Sequence, residues 1–213
     1  VVIDHEHGPG HYLDAINLLQ AIATTDTTAI LRVPWNDPVH IKRALDIGVE
    51  GVIVPYVSST REAQAAIDAC LYPPLGTRGM AHVIARASDY GLKAEEYASK
   101  INDNLLRICM VENEAGIDSL EETVKIEALD MVFVGPFDLS CSLGIPGQFS
   151  DPKFRKLLAK AEAVVRDSGK ALGSIAFDDA SKMCERGYQF IISGSDLTLL
   201  RDAAVADVTA CRA

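Results

Sequence analysis

The chain has 213 residues, 48% of them apolar, which allows one large domain or two small ones with a substantial core. No apolar run approaches the roughly 18 residues of a membrane helix, and a formal charge of −10 with no basic cluster argues against a nucleic-acid surface. The five cysteines are scattered without short paired spacing, which argues against a zinc ribbon or redox motif and fits reduced thiols in a cytoplasmic protein.

Strand-like runs occur at Val1–Asp4, Ala29–Val33, Gly51–Pro55, Leu106–Val111, Met131–Gly135, Ala171–Ala176 and Phe190–Ser193. They are short, often β-branched and apolar on both faces, the pattern of parallel strands covered on both sides. Helical stretches lie between them. Asp37-Pro38 reads as an N-cap followed by proline at the first helical position, with Gly48 closing that helix. Ser59 and Glu62 form a capping-box pattern ahead of Thr60–Leu71. In the long connection from Tyr72 to Asn104, Lys93–Ile101 supplies a further helix, and Asp151-Pro152 opens one that runs to about Asp167, ahead of Gly169.

Alternating strands and helices leave a closed (β/α) barrel or an open doubly wound sheet. No Gly-x-Gly-x-x-Gly turn follows any strand, so a dinucleotide fold has no support. A closed barrel of this class has eight strands. The first run here opens at Val1, so the expectation is a single (β/α)8 barrel domain spanning 1–213 as strands 2 to 8, with one βα unit upstream. No signal or transit peptide is visible, and a native N-terminal segment is expected to be missing.

Acids sit at several strand ends, where parallel sheets build their chemistry. Asp4, His5, Glu6 and His7 end the first run. Asp4 and His7 can form a dyad in which the carboxylate orients the imidazole for proton transfer, and Glu6 can hold a water or reach a metal shell. The plain alternative is a polar strand-to-loop junction. Arg32, inside an apolar run, needs a partner for a charge it cannot lose. It can stabilise a developing oxyanion, or pair with Asp4 or Glu6 to hold neighbouring strands, or do both. Asp46 lies near a helix end on the side away from the strand tips and reads as structural unless a neighbouring subunit brings it to a site. Arg78, in Gly76-Thr77-Arg78-Gly79, can meet an anionic substrate tail or be an ordinary surface arginine.

Glu112 and Asp138 are the strongest pair. Two carboxylates on neighbouring strand tips suit a hard divalent cation and leave its remaining positions to water and a bidentate 2-oxo acid. The alternative is that they cap the following helices or pair with an arginine. Backbone amides of Phe137 and Asp138, after Gly135-Pro136, can bind a carboxylate beside the metal. Gly194-Ser195-Asp196 follows the last run and carries a weak signal.

These segments in this order resemble the HpcH/HpaI family of class II pyruvate aldolases. The resemblance runs across nearly all of the chain through Ile3-Asp4-His5-Glu6-His7, Arg32-Val33-Pro34-Trp35-Asn36-Asp37-Pro38, Tyr72 through Gly79, Glu112, Val134 through Ser140, and Ile192 through Asp196. It implies a (β/α)8 barrel and a divalent metal (Mg2+, Mn2+ or Co2+) on Glu112 and Asp138. It also implies that Arg32 steadies a pyruvate enolate and that Asp4 and His7 handle protons; beside them Gly135, Phe137, Asp138 and Arg78 are the expected substrate-binding residues. Glu6 and Asp46 support them from behind. The implied reaction is reversible cleavage of a 4-hydroxy-2-oxo acid to pyruvate and an aldehyde, with oxaloacetate decarboxylation as a side activity. The resemblance further implies a homo-oligomer, in the family a hexamer built from dimers with the last helix exchanged between neighbours. Where the family often has glutamine two residues before the metal-binding glutamate, this chain has Met110, which removes a hydrogen bond near the acceptor. A coenzyme A thioester lyase of the same superfamily would need a basic nucleotide groove, which this acidic chain does not show. A non-catalytic barrel acting as a binding or assembly module would have no need of every charged position retained here.

Overall fold

The computed structural model describes residues 1–212. Each predicted strand forms inside its predicted bounds: β1 Val2–Asp4, β2 Ile30–Arg32, β3 Gly51–Val54, β4 Leu106–Val111, β5 Met131–Val134, β6 Ala171–Ile175 and β7 Phe190–Ile192. They make one parallel sheet in chain order, with Asp4 opposite Arg32 and Met110 opposite Phe133. β1 and β7 are its edges.

Alternation along the strands divides the sheet into two faces. Ile3, Leu31, Val52, Val54, Cys109, Val111, Val132, Val134 and Leu172 point outward into the main core under the helices. Ile30, Ile53, Ile108, Met110, Met131 and Phe133 point the other way and form a second cluster with Val2, Leu106, Phe190 and Ile192. Side chains two strands apart meet there: Arg32 Nη1 lies 3.9 Å from Met110 Sδ, and the Phe133 and Phe190 ring centroids are 6.2 Å apart. Strands two apart are separated by roughly 9–10 Å in the sheet, so these contacts mark the concave side of a curled sheet. The architecture is an α/β half-barrel.

Ten α-helices and one 3₁₀ turn (Arg86–Ser88) cover it among the described residues: α1 Tyr12–Ile22, α2 Pro38–Asp46, α3 Thr60–Cys70, α4 Ala94–Asn104, α5 Glu114–Asp118, α6 Leu120–Thr123, α7 Pro136–Ser142, α8 Pro152–Ser168, α9 Ala180–Glu185 and α10 Asp196–Arg212. The predicted N-caps form, although the Ser59–Glu62 capping box closes on one side only, since the Glu62 carboxylate accepts the Ser58 amide at 2.8 Å in place of the Ser59 amide. The Asp37 carboxylate accepts the Val39 and His40 amides, Ser59 Oγ accepts the Glu62 amide, and Asp151 accepts the Lys153 amide. Gly169 closes α8 at φ 78°, a left-handed conformation that glycine adopts without a Cβ penalty. No described helix is long and apolar enough to cross a membrane.

Candidate active site

The inward alternation that builds the concave cluster carries Asp4 on β1 and Arg32 on β2 toward the strand tips, and Glu112 follows β4 there. Arg32 grips Asp4 with two directed bonds, Nε to Oδ1 at 2.8 Å and Nη2 to Oδ2 at 2.6 Å. Its Nη1 also lies 2.9 Å from Glu6 Oε2. That oxygen has no directed hydrogen bond, so the contact is one of charge alone. The carboxyl groups diverge accordingly. Burial pushes Asp4 upward, but the Arg32 bond and charge, with the Glu6 and His7 amides, hold it below the usual carboxylate range. Burial dominates at Glu6 and raises it against the pull of Arg32.

Glu112 is 1% exposed. Its Oε1 accepts the Tyr56 amide at 2.7 Å, while Oε2 is buried with no partner. Burial pushes its carboxyl up to about 8 against the Tyr56 amide; Glu6 and Asp138 add to the rise and Arg32 opposes it. Helix capping does not occupy this side chain, because Asn113 caps α5 by accepting the Gly116 amide at 2.8 Å. Gly135 closes the cradle. A Cβ there would lie 2.6 Å from Glu112 Oε2 and 2.6 Å from Met110 Cε, so a side chain at 135 would fill the space that Oε2 faces.

Gly135-Pro136-Phe137-Asp138 is the entry to α7, with Gly135 as N-cap and Pro136 at the first position. Leu139 makes the first amide bond back to Gly135, so the Phe137 and Asp138 amides stand ahead of the helical ladder. The Phe137 ring is exposed and meets Phe149 edge-on at 5.2 Å.

Two expected placements are corrected. The Asp4–His7 dyad does not form: Arg32 takes both Asp4 oxygens, and His7 reaches Asp4 Oδ1 only through its backbone amide at 3.4 Å. The His7 ring, 66% exposed, stands 3.9 Å from Glu6 Oε2. Arg78 does not reach the mouth. Its side chain is fully buried, bonded through Nη2 to Asp46 at 2.7 Å and to the Tyr97 hydroxyl at 3.0 Å, with the guanidinium 4.4 Å from the Tyr72 ring centroid. Asp46 ends α2 just before the turn into β3, so this cluster lies at the opposite end of the strands from Glu112. Sequence reasoning also missed Tyr56. Its signal is faint: a tyrosine following Val54-Pro55 at a strand tip.

The donor set suits a hard cation. Asp4, Glu6, Glu112 and Asp138 influence one another around a single arginine, and one buried carboxylate oxygen has no partner. Among the described residues no group of three or more His, Cys, Asp or Glu is placed to hold a metal. Two carboxylates with water and substrate oxygens would complete the shell of a hard cation there.

A curled parallel sheet with clustered acids at its strand tips is the setting in which α/β enzymes of the barrel class place their chemistry. The description of the HpcH/HpaI aldolase/citrate lyase family matches residues 1–203. The chain is 36% identical over 208 residues to a 4-hydroxy-2-oxo-heptane-1,7-dioate aldolase of Escherichia coli, covering 97% of this chain and 79% of that protein. It is 38% identical over 208 residues to a hydroxypyruvate/pyruvate aldolase of Sagittula stellata, covering 97% and 81%. A crystal structure of an HpcH/HpaI aldolase/citrate lyase family protein from Burkholderia cenocepacia superposes with a TM-score of 0.93 at 31% identity, covering 100% of this chain and 85% of the other. The chain belongs to the HpcH/HpaI aldolase/citrate lyase family and is a carbon–carbon lyase, a class II pyruvate aldolase.

Proposed function

We propose that the chain cleaves a 4-hydroxy-2-oxo acid reversibly to pyruvate and an aldehyde at the strand tips, with Glu112 and Asp138 holding Mg2+, Mn2+ or Co2+. The observation that carries this reading is Glu112 Oε2, a buried carboxylate oxygen with no partner beside a glycine that leaves it room. When bound, the cation supplies Lewis-acid polarisation of the keto oxygen.

The protein's own residues do the rest. In the cleavage direction the 4-hydroxyl loses its proton, the C3–C4 bond breaks, and its electron pair becomes the enolate of pyruvate. Arg32, fixed by Asp4, places a permanent positive charge against the developing oxyanion. His7, exposed at the rim beside Glu6, exchanges the proton with solvent. The Phe137 and Asp138 amides face the substrate carboxylate. Arg78, fully buried beside Asp46, is withdrawn from the substrate-binding set. Oxaloacetate losing CO2 gives the same enolate, so that side activity is expected.

We further propose that β1–β7 are strands 2 to 8 of a single (β/α)8 barrel; the sheet's two free edges and the greater length of the relatives support this. The proposed homo-oligomer, a hexamer in the family, draws support from apolar side chains exposed on α1 and α10: Leu13, Leu18, Leu197, Leu200 and Val205. Five free thiols support a cytoplasmic location. The direct test is chelation. EDTA should abolish aldol cleavage and Mg2+, Mn2+ or Co2+ should restore it, whereas full turnover by metal-free protein would refute the reading. Arg32→Ala should keep Mn2+ binding and lose most exchange of the pyruvate methyl protons.

A further inference from the structure

The amide that holds Glu112 comes from a residue in an unusual backbone state. Tyr56 has φ 56°, a left-handed conformation that puts the Cβ of an L-residue close to the following carbonyl oxygen. The β3–β4 ladder shows why it arises. Val54 lies opposite Cys109, and Leu106 donates to the Glu50 carbonyl at 3.0 Å. Continued without a break, this register gives the Met110 carbonyl to the amide of residue 56. The Val57 amide takes it instead, at 3.0 Å. One extra residue is thus inserted where β3 runs on, which makes a β-bulge. The amide displaced from the ladder is that of Tyr56, and it turns to Glu112 Oε1.

The Tyr56 ring contributes little to the core, since the residue is 46% exposed. It stacks instead on Trp35, beyond the end of β2, with centroids 5.5 Å apart and planes 25° from parallel. Trp35 is itself 53% exposed. Two large aromatics left half in water, one of them on a strained backbone, have a purpose if they hold that backbone in place. Ser58 Oγ bonds the Tyr56 carbonyl at 3.2 Å and Asn113 Nδ2 bonds Ser58 Oγ at 2.7 Å, tying the bulge to the tip of β4.

We propose that Tyr56 is a positioning residue for the cation site. Its bulge amide, kept left-handed by the stack on Trp35, fixes one oxygen of Glu112 so that the other faces the cation. This rests on the cation reading above. Without the ring, the bulge relaxes to an ordinary backbone conformation, and cation binding must restore the strained one.

The test reads Mn2+ affinity from the free-ion electron paramagnetic resonance signal, on full-length metal-free protein and without any assay of turnover. Tyr56→Ala should weaken binding about tenfold, because alanine keeps the left-handed penalty and loses the stack. Tyr56→Gly should bind within about threefold of wild type, because glycine adopts positive φ freely. Trp35→Ala should weaken binding about fivefold, and Trp35→Phe, which can still stack, should stay within about twofold. Melting temperatures should be similar across the set, since both side chains are half exposed. Wild-type affinity in Tyr56→Ala would overturn the proposal, and so would Tyr56→Gly binding no better than Tyr56→Ala. If wild type binds no Mn2+, the cation reading itself fails; if wild type binds and the variants match it, only the role of Tyr56 falls.

Discussion

Two arginines at opposite ends of the strands sit among very different company. Arg107, near the start of β4, meets one acid: its Nε and Nη2 bond the two Asp130 oxygens at 2.8 and 3.1 Å, and Nη1 bonds the Asn102 carbonyl at 3.0 Å. Charge and hydrogen bonds balance there, and the pair ties β4 to the start of β5. Arg32, at the other end, faces Asp4, Glu6 and Glu112, with Asp138 close enough to raise Glu6 and Glu112. One end is arranged to be stable as it stands. The other has more negative charge than its arginine can neutralise, and a buried oxygen left over. In the proposed reading a bound cation offsets that surplus, a trade-off between stability and function common at such sites.

The comparison breaks if the two ends respond alike to mutation. The largest expected effect is on binding: Glu112→Gln should lower Mn2+ affinity by at least about a hundredfold while Arg107→Ala leaves it within about twofold. Stability should move the opposite way. Arg107→Ala strands a partly exposed Asp130 and should cost about 2 kcal/mol in denaturant unfolding. Glu112→Gln should raise the melting temperature of the metal-free protein above pH 8, because it removes a buried carboxylate.

The pH dependence sharpens the same contrast. Between the ordinary glutamate value of 4.5 and about 8, folded metal-free protein keeps a proton on Glu112 that the unfolded chain has released. The unfolded state then binds fewer protons, so stability falls as pH rises through that window. A cation displaces the proton, so apparent Mn2+ affinity should climb up to about pH 8 and level off above it. Calorimetry in two buffers of different ionisation enthalpy would read the released proton; a pH-independent affinity would show that Glu112 carries no proton for the cation to displace.

A smaller effect is expected at Gly135. Its replacement by alanine puts a Cβ 2.6 Å from Glu112 Oε2. It should weaken Mn2+ binding about tenfold and cost about 1–3 kcal/mol of stability through overpacking. Arg78→Lys should leave Mn2+ affinity unchanged, since Asp46 and Tyr97 hold Arg78 at the far end.

Much of this arrangement was written in local pattern. Strands of β-branched residues apolar on both faces were legible because burial on both sides leaves no alternation to confuse, and Asp37, Ser59 and Asp151 announced their helices by capping chemistry. The carboxylates at strand tips were legible for the same reason, as charges ending apolar runs. What failed depended on pairing between distant segments. The opposition of Asp4 and Arg32 across β1 and β2 decides that Asp4 serves the arginine rather than His7. Arg78 reads as a substrate arginine in sequence because its burial against Tyr72 and Tyr97, with Asp46 as its ion partner, joins segments that no local motif pairs. Tyr56 escaped notice because a one-residue offset against β4 exists only once the strands are paired.

The central claim is that Glu112 and Asp138 share one divalent ion. Anomalous diffraction at the manganese edge, on crystals soaked with Mn2+ and pyruvate, addresses it directly. The account predicts one peak per chain, touching a Glu112 oxygen and an Asp138 oxygen, and its loss in Glu112→Gln. A peak elsewhere, or the same peak persisting in that variant, would contradict it.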